Sequence, residues 1–211
     1  NMIVQGQIKD LKKGKLYLQK MKDTLLVSVD SVSLNGSNTF RLSDNIKEPT
    51  LYYLTFDGNT TDQRILFFGE EGTITINDKV KNFGYTPSIE GSKNQLILDN
   101  YNSVKKKLQN ERLDFIKRDF EAKKINNPEL TEQIQKDYNR FLRKRILYTT
   151  NFIISNADTE VAPYIALTEM YDASMQMLDT VNNSLTPKVK ASYYGKLYQE
   201  YLDKIKQKNN K

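Results

Sequence analysis

Three small groupings have residue types and spacings that could do chemistry. Ser103 and Lys106 form S-x-x-K, which sets a hydroxyl and an amine on one face of a helix, as serine–lysine acyl-transfer sites require. Such sites also need a buried lysine and an oxyanion hole. Lys106 stands inside Lys105-Lys106-Lys107, the mark of a solvated face, so the pair reads as a coincidence of spacing. Asp30-Ser31 could be a catalytic or ligand pair. Its structural reading is a carboxylate accepting backbone N–H groups freed where a strand slips phase. Asp57-Gly58-Asn59 through Asp62 offers oxygens to calcium, but lacks the twelve-residue register with its sixth-position glycine and final bidentate glutamate. Asp-Gly is a hairpin dipeptide, so a solvated turn is expected there.

What is missing narrows the chemistry further. The 211 residues include no cysteine and no histidine. That excludes a thiolate nucleophile, a disulfide, a Ser-His-Asp or Cys-His relay and a His-ligated metal from this chain. No catalytic, cofactor-binding or metal-ligating residue is therefore assigned, and no cofactor is expected. The net charge of +6 is uneven. Residues 1–92 hold 11 basic and 11 acidic residues, and residues 93–211 hold 21 and 15. The excess concentrates in Lys105-Lys106-Lys107, Arg112, Lys117-Arg118 and Arg143-Lys144-Arg145, with aromatics between. Nucleic-acid proteins combine cations and stacking aromatics in this way. Here the aromatics keep helical core spacing, and Glu111, Asp114, Asp119 and Glu121 break the positive surface that phosphates need. No nucleic acid is expected as a partner.

The aromatic load falls on tyrosine and phenylalanine, because tryptophan is absent. Tyr193, Tyr194, Tyr198 and Tyr201 crowd the last helical stretch over more than one face. One stripe should pack inward, and Tyr194 and Tyr198 are the candidates for a partner-facing surface.

These groupings must be held by two kinds of element. Up to Ser92 the pattern has period two with turn punctuation, which reads as strands. Val4, Gly6 and Ile8 alternate, Lys12-Lys13-Gly14 reads as a turn, and Leu16-Tyr17-Leu18 opens a second strand. Leu25, Val27 and Val29 alternate, then Val32 and Leu34 resume out of phase, so a bulge is expected at Asp30-Ser31. Asn35-Gly36 supplies the positive φ of a tight hairpin, with Gly36 at its centre. Leu51 to Phe56 and Ile65 to Phe68 are apolar on both faces, which predicts central strands covered on both sides.

From Ser92 the period becomes 3.6. Ser92 with Gln95 fits a capping box. Ile97, Tyr101, Val104, Leu108, Phe115 and Phe120 predict one helical stripe, and Leu130, Ile134, Tyr138, Phe141, Tyr148 and Phe152 the next. Asn127-Pro128 and Thr186-Pro187 pair an N-cap with a proline at the first helical position. Asp158 or Thr159 is the expected cap of the helix between them. Val189, Tyr193, Leu197, Tyr201 and Ile205 predict a final helix, and the tail from Lys206 should fray. The fold class is α+β: an antiparallel, sandwich-like β domain over 1–92, then a helical domain over 93–211 packed on it.

The strand region resembles a known family. Its recurrent features are Val4-x-Gly6, Gly14, Leu16-Tyr17-Leu18, Val29-Asp30-Ser31, Asn35-Gly36, Phe40, Pro49, Phe67-Phe68, Glu71-Gly72, Ile74-Thr75-Ile76 and Ile89-x-Gly91-Ser92. Together they are similar to the domain of unknown function (family 4369) at the N-terminus of exported thiol:disulfide interchange lipoproteins of Bacteroidetes. Asn156 to Tyr164 and Thr186 to Tyr194 resemble landmarks of the helical region that follows it. The resemblance implies export to the periplasm or cell envelope and a lipidated cysteine upstream of Asn1 as the only membrane attachment. It implies a protein partner, or a covalently linked thioredoxin-like domain whose Cys-x-x-Cys lies outside this chain. It implies no catalytic residue here.

Overall fold

The structure, a computed structural model, describes residues 1–22, 24–57 and 59–209, with the side chains of 59–62 and 209 outside that description. It divides into two compact units, Asn1–Leu96 and Ile97–Lys211. The division falls four residues beyond Ser92, because the first turn of the following helix belongs to the β unit.

The first unit is built of β1 (Met2–Lys9), β2 (Lys13–Lys22), β3 (Leu25–Asn35), β4 (Thr39–Asp44), β5 (Thr50–Phe56), β6 (Asn59–Gly69), β7 (Gly72–Lys79) and β8 (Ser88–Glu90). They form two four-stranded sheets, ordered β4-β1-β7-β8 and β3-β2-β5-β6. Alternation decides what each sheet buries. Val4, Leu42, Ile74 and Ile76 from the first, and Leu16, Leu18, Tyr52, Leu54 and Phe67 from the second, belong to one fully buried cluster. Each such side chain contributes about 1.5–3 kcal/mol as an upper bound. The class is therefore α+β with a sandwich-like first part.

One pairing departs from the antiparallel expectation. β1 and β7 run parallel, with Val4 opposite Ile74 and Gly6 opposite Ile76. A parallel pair needs a long connection between its strands. Here the intervening chain supplies β4 and the whole second sheet. Gly6 is required at this seam: at φ 154° a Cβ would stand 1.8 Å from the Ile76 carbonyl oxygen.

Asn35-Gly36 is not a hairpin. β3 pairs with β2 and β4 with β1, so the chain changes sheets between Asn35 and Thr39. Gly36 has φ 81°, and its N–H donates to the Lys12 carbonyl at 2.9 Å. The dipeptide fixes the sign of φ but not the partner of the outgoing strand. Double-faced apolarity likewise misplaces β6, which is the outermost strand of its sheet, whereas β5 is internal. Phe68 is buried while Leu66 is 39% exposed. The first turn lies at Asp10 (φ 68°), and Gly14 is already within β2. The Asp57-Gly58-Asn59 to Asp62 stretch lies outside the described residues except for Asp57 and the backbone of 59–62. Asp57 Oδ1 accepts the Lys15 N–H at 2.7 Å.

The helices are α1 (Lys93–Lys124), α2 (Pro128–Ser155), α3 (Val161–Glu169), α4 (Met175–Ser184), α5 (Pro187–Ala191) and α6 (Tyr193–Asn209). Asn127 caps α2 as its sequence predicts, its side chain accepting the Leu130 N–H at 3.0 Å. Helix α1 returns through this link as α2, and the two pack antiparallel: Tyr101 meets Thr149 and Phe152, and Phe115 meets Tyr138 and Phe141. Phe120 leaves the stripe and is 69% exposed. At 3.6 residues per turn, five residues beyond Phe115 carries Phe120 about 140° round the helix, away from the stripe. The residue before α3 is Glu160, which makes no side-chain cap; Thr159 instead donates to the Asn156 carbonyl.

The last helix is two. Thr186 caps α5, and α6 starts anew after Ser192. The break rotates the inward stripe by about one residue, so Tyr194, Tyr198 and Leu202 are buried and Tyr193 is 40% exposed. Residues 206–209 continue the helix, and Lys206 pairs with Asp179 at 2.8 Å. Among the described residues no helix is long and apolar enough to cross a membrane.

Candidate binding cavity

Among the described residues of the β unit, a part-buried titratable constellation joins the two sheets. Asp44, on β4, accepts from Tyr52 Oη at 2.6 Å and from Lys20 Nζ at 2.5 Å. Tyr52 and Lys20 are cross-strand neighbours in the other sheet, so the carboxylate ties one sheet to the other. Burial pushes the Asp44 pKa up, but the Lys20 and Tyr52 hydrogen bonds and the Lys20 charge outweigh it and hold it below the ordinary carboxylate value. Burial, then the bond to Asp44, pushes the Tyr52 phenol far up. Neither group can exchange a proton near neutral pH. Asp30 works from the opposite side of the same seam. Its Oδ1 accepts the Ser31 N–H and its Oδ2 the Ser43 N–H, both at 2.8 Å, joining β3 to β4. The extra residue of the bulge is Val29, since Leu18 faces Asp30 while Gln19 faces Ser28. Ser31 is exposed and pairs with Tyr17 across the strand.

The other expected residues fall as follows. Ser103 Oγ donates to the Asn100 carbonyl at 2.8 Å, and Ser103 and Lys106 are both exposed. Tyr194 and Tyr198 do not form a partner-facing surface. Tyr194 lies edge-on to Tyr164, and Tyr198 Oη donates to the Leu178 carbonyl at 3.0 Å. The break at Ser192 turns both inward.

Three residues of the basic segment, by contrast, converge. Lys105 and Arg112 from α1 and Arg145 from α2 line a cavity of about 370 Å³, closed by the C-terminal end of α3 and the residues after it. Glu169 Oε1 accepts from Lys105 Nζ at 2.5 Å, and Asp172 pairs with Arg145. Arg145 also donates to the Glu169 carbonyl at 3.2 Å and lies over the Tyr171 ring. Arg112 stands beside Tyr138; that hydrogen bond raises its pKa further, so it is a permanent cation. Leu108, Phe141 and Leu142 complete an apolar wall. At the base, Tyr101 shares a 3.0 Å hydrogen bond with Thr149, and burial pushes its phenol up to about 12. The cavity therefore offers cations, carboxylates and rings, and Tyr101 is no base at neutral pH. Among the described residues no group of three or more acidic side chains is placed to hold a metal ion.

Sequence spacing singled out the cations but not Tyr138, Tyr171, Glu169 or Asp172 as their company. Glu169 and Asp172 lie 24 or more residues from every cation of the cavity, and no local pattern links such positions.

The mixed two-sheet unit, with Gly6 pressed against Ile76 and a side-chain-tied corner, is the part that comparison with known families addresses. Residues 2–98 match the family described as Domain of unknown function (DUF4369). The DUF4369 match takes in the whole β unit and the start of α1, and ends before Tyr101, the first residue of the cavity. No curated protein and no solved structure matches the chain.

Proposed function

We propose that this chain is a non-catalytic interaction module of the cell envelope, exported and held to the membrane by a lipid on a cysteine upstream of Asn1. One observation carries the non-catalytic reading. Two of the three cations converging on the helical cavity are held by carboxylates, Lys105 by Glu169 and Arg145 by Asp172, as in a recognition wall. A general base or nucleophile needs a group whose proton affinity is poised near the working pH. The sequence has neither cysteine nor histidine, the side chains whose ordinary pKa values stand nearest neutral pH. Export and lipidation rest on the resemblance of residues 3–92 to the N-terminal domains of exported lipoproteins, which the DUF4369 match supports at the level of the domain.

The partner in this reading is a protein, or a covalently linked thioredoxin-like domain, and not a nucleic acid. The linked domain defines a second reading, which rests on the resemblance alone: the non-catalytic front portion of a thioredoxin-like thiol:disulfide oxidoreductase. The full gene decides between them by the presence or absence of a downstream Cys-x-x-Cys. The test of the first reading is fractionation of cells carrying the full gene, with labelled palmitate in the medium. Label in an envelope-associated product is the expected result. An unlabelled cytosolic product refutes export and anchoring.

A further inference from the structure

The charges around the helical cavity do not cancel. Glu169 neutralises Lys105 and Asp172 neutralises Arg145. Arg112, two turns along α1 from Lys105, has no carboxylate ion pair among the described residues. Asp172 is near enough to feel its charge but is already engaged by Arg145. Arg112 is exposed and lines the cavity together with Tyr138, so an entering ligand can reach it. Behind it the wall is apolar and aromatic. Tyr138 and Phe141 stack at 6.0 Å, Leu108 and Leu142 are half-buried, and Tyr171 is 67% exposed at the rim.

A guanidinium recognises a carboxylate by two parallel N–H···O bonds. Pockets of this size are commonly apolar, with a few polar groups that set orientation. We propose that this cavity binds a small carboxylate bearing an aromatic or branched apolar body, the carboxylate on Arg112 and the body between Tyr138 and Tyr171. A dianion is disfavoured, because Glu169 and Asp172 lie within the same wall. A cation is disfavoured, because the unmatched charge is already positive. The chemistry is shared by a free organic acid and by the C-terminal residue of a peptide. The proposal rests on the non-catalytic reading of the same cavity.

The experiment is calorimetric titration of the full chain with N-acetyl-phenylalanine. Saturable one-to-one binding is expected. N-acetyl-phenylalaninamide, without the charge, and acetate, without the ring, should each bind about tenfold or more weakly. R112Q should weaken N-acetyl-phenylalanine by about tenfold or more while its circular dichroism and melting are unchanged, because Arg112 is exposed. R118Q, whose guanidinium pairs with Asp114 at 3.9 Å on α1 and does not line the cavity, should leave the affinity intact. Acid and amide binding alike, R112Q binding like the parent, or no saturation by about 10 mM ligand would each overturn the proposal. A peptide ending in free phenylalanine that binds better than N-acetyl-phenylalanine assigns the source to a chain terminus, and equal binding assigns it to a free acid. Chromatography of the recovered ligand separates the two claims: a chemically altered ligand sinks the non-catalytic reading and leaves the site standing.

Discussion

Replacing Tyr52 by phenylalanine removes one oxygen and nothing else. The ring stays in the core against Phe67, 6.0 Å away, and no cavity larger than the lost hydroxyl opens. What is lost is the 2.6 Å bond that Tyr52 Oη donates to Asp44, together with the longer 3.3 Å bond it accepts from Lys20 Nζ. Hydrogen bonds to charged groups are worth about 1.5–3 kcal/mol. Asp44 keeps Lys20, and its side chain is 16% exposed, so water compensates in part and the lower end, about 1.5 kcal/mol, is expected. With an unchanged denaturant slope, that moves the urea midpoint down by about 0.5–1.5 M. Far-UV circular dichroism suits the assay, since the chain has no tryptophan to report unfolding by fluorescence. The pH profile adds an independent check. The Asp44 pKa is depressed on folding, so its contribution is complete above the ordinary carboxylate value, about 3.9, and is lost as pH falls below it. The Tyr52 pKa is raised on folding, so its contribution is complete below about pH 10 and is lost as pH rises beyond. Tyr52→Phe should flatten the alkaline limb and soften the acid limb. An unchanged midpoint, or parallel pH profiles for variant and parent, would refute the view that this triad fastens the sheets.

Three further outcomes are expected. Gly6→Ala drives a Cβ into the Ile76 carbonyl, which only a backbone shift of β1 against β7 relieves, and should cost about 3 kcal/mol or more in a denaturant titration. Asp30→Ala leaves the Ser31 and Ser43 N–H groups to water and should cost about 1–2 kcal/mol by the same measurement, whereas an unchanged midpoint would reopen a functional role for Asp30. A fragment of residues 1–98 should be more stable than one of residues 1–92, because the longer one keeps Gln95 on the Phe68 N–H (2.8 Å) and Asn94 on Glu70 (2.8 Å); equal thermal midpoints would show that these contacts contribute nothing.

What was legible in the sequence was local. Alternation in Val4 to Ile8 and in Ile74 to Ile76 gave strands, because a sheet with one buried face imposes period two. Asn127-Pro128 and Thr186-Pro187 gave helix starts, because an oxygen cap and a missing N–H act within one turn. Ser92 caps Gln95 as its spacing predicts, accepting the Gln95 N–H at 3.0 Å, but the Gln95 side chain is used on Phe68. Pairing was not legible. Nothing within β3 or β4 says that Asn35-Gly36 carries the chain into the other sheet, since a positive φ is common to hairpins and corners. Nor does periodicity reveal the break at Ser192, where one short turn shifts the stripe from Tyr193 to Tyr194. The cavity lay further out of reach, since its members, spread from Tyr101 to Asp172, meet only when α1 and α2 fold back on each other and α3 ends beside them.

Strands β4 and β6 stand at the ends of their sheets, and each has a backbone donor occupied by a side-chain oxygen: Ser43 by Asp30, Phe68 by Gln95. An outermost strand with free donors is a template on which another chain can crystallise as one more strand. Here one donor on each of those borders is occupied from within the same molecule. A variant lacking Asp30 or Gln95 would therefore fail in a second way besides weaker folding. It would present one more free donor at a sheet edge, and light scattering that rises with concentration relative to the parent would be its mark.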